Sequence, residues 1–142
     1  MKKFFILLII TFAITLIPTI FISFNTDFIK PVLFPPKVIF PIVWTTLYIL
    51  MTISIYLSTK FDDDTYVIYF LQLIVNAIWS PLFFGFRWYL VSFIWLILLL
   101  VLVLKMVKQM KYKNTIASYL QIPYIIWILF AGYLNLGVYL LN

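Results

Sequence analysis

The chain has 142 residues, of which 66% are hydrophobic and 21% aromatic, and its formal net charge is +6. A mean hydropathy of +1.17 leaves too little polar surface for a water-soluble domain of this length. There is no cysteine and no histidine, which excludes disulfides and thiol chemistry and removes the commonest metal ligand and the commonest general base.

Five apolar stretches, at 4–24, 38–59, 66–86, 88–104 and 115–141, carry no charged residue in their interiors. Each is near the about 20 residues an α-helix needs to cross the hydrocarbon core of a bilayer. The expected fold is an all-α membrane protein, a five transmembrane helix bundle forming one domain over 1–142. The opening Met1-Lys2-Lys3 resembles the start of a signal peptide, but the run behind it is too long and no small-residue cleavage site follows, so it reads as an uncleaved first helix.

The connection over 25–41 contains Pro31, Pro35, Pro36 and Pro41. Proline fixes φ and removes backbone donors, so little helix is expected there. Its apolar residues Val32, Leu33, Phe34 and Ile39 point to an ordered cap packed over the bundle, because a solvated linker would be polar. In the turn over 60–64, three consecutive carboxylates do not converge on a cation. Asp64 is expected to cap the third helix. Gly85-Phe86-Arg87 predicts a tight turn and an antiparallel pairing of helices three and four. Pro18, Pro81 and Pro123 lie inside or near the ends of spans, where each removes a helix bond and favours a kink. Trp88, Tyr89, Tyr112 and Tyr139 read as interfacial anchors.

With five spans, Lys2, Lys3, Lys60, Lys105, Lys108, Lys111 and Lys113 share one side, seven in all, against three (Lys30, Lys37 and Arg87) on the other. The positive-inside rule then places the N-terminus in the cytoplasm and the C-terminus outside. The cations sit in short loops and set orientation, so no nucleic-acid partner is expected. Lys, Ile, Asn and Phe usage is that of an AT-rich bacterial genome, so the expected location is the bacterial cytoplasmic membrane.

The spans hold no ionisable residue of the kind that couples transport to ions or protons. No Ser/His/Asp set, paired intramembrane carboxylates or phosphate-cradling glycine loop is present. The polar residues inside the spans are neutral. Gln72, Asn76, Trp79 and Phe83 follow an i, i+4, i+7, i+11 spacing and share one helix face. Trp44, Tyr48 and Met51 form a similar stripe on the second helix, and Tyr124, Trp127, Ala131 and Asn135 another on the fifth. Two readings stand on this pattern alone. One is helix packing, with amides bonding between helices and Ala131 and Gly132 allowing close approach. The other is a pocket for a flat, mostly apolar ligand, with indoles stacking on it and amides orienting it.

Several ordered blocks resemble the TspO/MBR family, the tryptophan-rich sensory proteins related to the mitochondrial translocator protein. Lys30-Pro31-Val32-Leu33-Phe34-Pro35-Pro36 resembles the first-loop block of that family, and Phe40-Pro41-Ile42-Val43-Trp44-Thr45-Thr46-Leu47-Tyr48 the block that follows it. Gln72-Leu73, Asn76 and Trp79-Ser80-Pro81-Leu82-Phe83-Phe84 resemble its third helix. Pro123-Tyr124, Trp127, Phe130-Ala131-Gly132-Tyr133-Leu134-Asn135 and Asn142 resemble its ending.

The resemblance implies a five-helix bundle, a homodimer, and a pocket between the helices under the first loop that binds porphyrins and benzodiazepine-type compounds. Carried over by position, Trp44, Asn76, Trp79, Trp127 and Ala131 are ligand candidates. Tyr48, Gln72, Phe83 and Asn135 join them from the same helix faces, with Lys30, Leu33, Phe34, Pro35 and Pro36 as the loop cap. Leu33 stands where the family has a loop tryptophan, and Phe24 and Asn25 where it has a Trp-Tyr pair. No basic residue follows Tyr133 or Tyr139, so the sterol motif of animal members is absent.

The first expectation is a membrane receptor or sensor for a tetrapyrrole. It would require no cofactor or metal, and Lys30 or Lys37 would meet the propionates at the rim. A transporter of porphyrin or another amphiphile is the alternative. A third is a light-dependent porphyrin-degrading enzyme that needs Trp44 or Trp127.

Overall fold

A computed structural model describes every residue except 24–25 and 59–62, together with the Asp63 backbone but not its side chain. The described chain forms α1 (Lys2–Ile20), α2 (Ile39–Ser58), α3 (Asp63–Ser80), a π-helical turn (Pro81–Gly85), α4 (Tyr89–Lys113), a short α5 (Thr115–Tyr119) and α6 (Ile122–Leu141). Among the described residues five segments are long and apolar enough to cross a membrane, with α3 plus the π turn as the third and α5 plus α6 as the fifth.

The spans close into a ring. Helix α1 packs against both α2 and α3, α4 lies between α3 and α6, and α5 closes the circuit against α2 and α4. Inside the ring, Met51, Ile55, Tyr69, Leu73, Leu99, Met106, Tyr124 and Ile128 are fully buried. Outward faces rich in Ile, Leu and Val stay exposed, as expected where lipid tails are the solvent.

Helix extents differ from the hydropathy reading in instructive ways. The first helix ends at Ile20, just past Pro18. The fourth continues from 104 to Lys113, because charge ends an apolar run without ending a helix, and lysine, methionine and glutamine are good helix formers. The third starts at Asp63, so Asp64 sits in its first turn, near the positive end of the dipole, instead of capping it. The expected turn at 60–64 lies mostly outside the described residues.

The prolines act at ends. Pro81 stands where α3 gives way to the π turn, whose closing bond runs from Phe86 N–H to the Pro81 carbonyl at 2.9 Å. Arg87 then takes φ 57°, and Trp88 N–H reaches the Leu82 carbonyl at 3.0 Å, so the expected tight turn pairs α3 with α4. Pro123 opens α6, where a missing N–H costs nothing. Before it, the chain breaks at Leu120 and Gln121, and Gln121 N–H bonds only three residues back, to Ser118 O at 3.2 Å.

From Thr26 onward, where it is described, the proline-rich connection is an ordered cap strapped to α6. Asn142 Oδ1 accepts from Ile29 N–H at 2.9 Å and its Nδ2 donates to Ile29 O at 3.0 Å. Tyr133 O–H donates to Val32 O at 2.7 Å. Pro31 seats on Gly137, where an added Cβ would fall 2.6 Å from Pro31 Cβ. Beneath the strap, Phe28 packs edge-on to Phe34, Phe83 and Tyr89. Tyr89 therefore packs inward, whereas Trp88 and Tyr112 are exposed, as interfacial anchors would be.

Candidate ligand-binding site

Three helix faces meet inside the ring as their spacing predicts. Trp44 and Tyr48, one turn apart on α2, stack with centroids at 5.6 Å and an interplanar angle of 23°. The Trp44 ring lies 6.3 Å from each of Trp79, Tyr124 and Trp127.

A directed chain of hydrogen bonds crosses behind these rings. Tyr48 O–H donates to Asn76 Oδ1 at 3.0 Å, Asn76 Nδ2 donates to Tyr124 Oη at 2.7 Å, and Tyr124 O–H donates to Gln72 Oε1 at 2.8 Å. The chain ties α2, α3 and α6 together through neutral groups, which low-dielectric surroundings strengthen. A second link runs from Trp79 Nε1 to Asn135 Oδ1 at 3.0 Å and from Asn135 Nδ2 to the Tyr89 carbonyl at 2.7 Å. The polar stripes therefore join the helices, as the packing reading expects, and one of the joining amides, Asn76, also borders open space.

That space is a cavity of about 680 Å³ between α1, α2 and α3, within the usual range of about 300–1,000 Å³ for small-molecule sites. Thr15, Leu16 and Thr19 of α1 form one wall. Phe40, Pro41, Trp44 and Tyr48 form the second, Asn76, Ala77, Ser80 and Phe84 the third, and Thr26, Lys37 and Val38 the outer end. The Thr15 and Thr19 hydroxyls donate to the carbonyls of Thr11 at 2.8 Å and Leu16 at 2.6 Å. The cavity is thus an aromatic and aliphatic slot with one ammonium at its outer end and neutral polar groups inside.

The sequence-derived residues divide. Trp44, Tyr48 and Asn76 line the cavity. Trp79, Phe83, Ala131 and Asn135 border a separate void of about 10 Å³, together with Phe34 and Phe40; it has room for about one water. Gln72 belongs to the hydrogen-bond chain, accepting from Tyr124, and does not line the cavity. Trp127 packs against Phe40 and Trp44, and its buried indole N–H has no hydrogen-bond partner among the described residues.

Of the loop residues, Phe34 packs inward against Phe28 and Phe40. Lys30 lies 5.9 Å over the Phe34 ring. Leu33, 74% exposed at φ 70°, points away from the bundle, Pro35 is half-buried and Pro36 exposed. None of these five borders the large cavity, whereas Thr26 and Lys37 do. The α1 wall was missed. Its readable signal is Thr11, Thr15 and Thr19 at i, i+4 and i+8, one polar face on an otherwise apolar helix.

Comparison with known proteins accounts for this architecture. The TspO/MBR family profile matches residues 5–141. The chain is 39% identical over 117 residues to the tryptophan-rich protein TspO of Archaeoglobus fulgidus, covering 80% of this chain and 76% of that protein. It is 33% identical over 119 residues to the protein CrtK of Rhodobacter capsulatus, covering 80% and 74%. It is 36% identical over 118 residues to the translocator protein of Bos taurus, covering 75% and 67%. The match over nearly the whole chain, with five apolar helices closing one ring around indoles and amides, makes this a multi-pass membrane protein that belongs to the TspO/MBR family.

Proposed function

We propose that this protein is a membrane receptor or sensor that binds a porphyrin in the cavity between α1, α2 and α3. The observation that carries the reading is the stacked Trp44–Tyr48 pair forming a wall of a cavity of about 680 Å³. A tetrapyrrole has a broad π face suited to indole stacking. Its propionates suit Lys37 at the outer end. The chain contains no histidine or cysteine, so imidazole and thiolate axial ligation of haem is lacking, and metal-free porphyrin is the favoured form. The lysine asymmetry supports a cytoplasmic N-terminus and an outside C-terminus in a bacterial cytoplasmic membrane. A homodimer is part of the same proposal, by likeness to the family.

Tryptophan-quenching titrations of the protein in lipid nanodiscs test it. Free-base protoporphyrin is expected to bind at least as tightly as haem. Trp44→Phe is expected to weaken binding by about 1 kcal/mol, roughly fivefold. Trp127→Phe is expected to change it less, because Trp127 does not border the cavity. Haem-selective binding with a ligated-iron spectrum, or no saturable quenching, would refute the reading.

Light-driven porphyrin breakdown has one observation in its favour. Trp44 borders the cavity with the Trp79 and Trp127 rings each 6.3 Å behind it. Unchanged product formation in the Trp44→Phe, Trp127→Phe double variant removes that reading.

A further inference from the structure

We infer that the cavity is loaded sideways from the bilayer, between the loop-side ends of α1 and α2, by an amphiphile that keeps its acidic group at the membrane surface. The inference rests on the receptor reading and adds a route and an orientation to it.

Three features point the same way. The first is the attachment of α1. Its buried residues are Leu7, Thr11 and Thr15, and none follows Thr15. Up to that point it is held to the bundle, in part by Thr11 Oγ1 and Tyr69 Oη at 2.6 Å. Beyond it lies Pro18, which lacks an N–H and so weakens the last turn. The end of α1 that borders the cavity therefore carries no fully buried side chain beyond Thr15.

The second feature is the direction in which the cavity opens. Among the described residues its border is made by α1, α2, α3, the turn after α3 and the two ends of the loop, with none from α4, α5 or α6. At that border Leu16 is 48% exposed and Val38 61% exposed. Leu16 lies four residues before the end of α1, about 6 Å below it at 1.5 Å per residue. Both side chains are apolar, so they present no barrier to a lipid-dissolved ring.

The third is that the loop closes the ring on its other side. Asn142, Tyr133 and Gly137 hold Ile29, Val32 and Pro31 against α6. Under that strap Phe28, Phe34, Phe83 and Tyr89 pack ring against ring. Passage from water through the centre of the bundle would have to break this layer.

The same geometry orients the ligand. The Thr15 hydroxyl is engaged by its own helix and the Tyr48 hydroxyl by Asn76. A carboxylate carried to that depth would be desolvated without a cation. Lys37 at the outer end meets it at headgroup level, as long cationic side chains do near membrane surfaces. The ring enters first and the acid stays behind.

Stopped-flow tryptophan quenching in proteoliposomes, with free-base protoporphyrin as the probe, tests the route. The expected association rate follows the porphyrin-to-lipid ratio in the membrane, not the aqueous concentration. Leu16→Trp and, independently, Val38→Trp are expected to slow association and dissociation by fivefold or more each. Asn142→Ala, which loosens the strap away from the cavity, is expected to leave both rates unchanged. Wild-type rates in both tryptophan variants, or faster association in Asn142→Ala, would overturn sideways loading while leaving the receptor intact. A wild type without saturable quenching would remove the receptor and the route together.

Discussion

The hydrogen bond between Tyr48 and Asn76 lends itself to a quantitative test. Tyr48 O–H donates to Asn76 Oδ1 at 3.0 Å, both residues are buried, and Asn76 also donates to Tyr124 at 2.7 Å. Tyr48→Phe strands one acceptor, and Asn76→Leu strands the Tyr48 donor. A buried group left without its partner costs about 1–3 kcal/mol. Membrane interiors soften this, since measured interhelical bonds there average about 0.6 kcal/mol and reach about 1.7. Tyr48→Phe should therefore lose about 1 kcal/mol, and Asn76→Leu more, because it also gives up the bond to Tyr124. The double variant strands neither group, because Tyr124 keeps Gln72 as its acceptor at 2.8 Å. Its loss should fall short of the sum of the singles by about 1 kcal/mol. Equilibrium unfolding from mixed micelles into a denaturing detergent measures all four corners of the cycle. Strict additivity would refute a direct bond between the two side chains.

Other substitutions separate structure from binding. Gly137→Ala should lower thermal stability despite the about 1 kcal/mol that alanine gains over glycine in a helix, because its Cβ would meet the rigid Pro31 ring at 2.6 Å; a raised melting temperature would show that the strap is loose. Gln121 is fully buried, and neither end of its amide has a partner among the described residues. Gln121→Leu should therefore raise stability by about 1 kcal/mol, and a clear loss in the same unfolding assay would mean the amide is bonded. Trp79→Phe removes the 3.0 Å bond to Asn135 and should lower stability by about 1 kcal/mol. It should leave porphyrin affinity within about twofold, since Trp79 does not border the large cavity; a tenfold loss in a quenching titration would place the ligand elsewhere.

How far the site was legible depended on what kind of signal each residue gives. The face shared by Gln72, Asn76, Trp79 and Phe83 followed from spacing alone, and all four are buried. Spacing says which way a side chain points, however, and not whether it meets a neighbour or open space. Trp79 and Asn76 share the face, yet one fills the core beside Phe83 while the other borders the cavity. The α1 wall went unread because threonines in an apolar helix look like packing residues until a gap appears beside them. The break at Gln121 carried a signal in Pro123, whose missing N–H leaves the preceding turn short of a bond.

The membrane class, the number of spans and the family blocks were thus fixed by sequence, because a bilayer imposes one requirement on composition and length that few sequences meet by chance. The ring order, the strapping of the loop to α6 and the position of the cavity were decided only by tertiary structure. They depend on how close particular helices approach. Pro31 on Gly137 closes one side of the bundle, and the large cavity borders α1 from its last buried residue, Thr15, to Thr19.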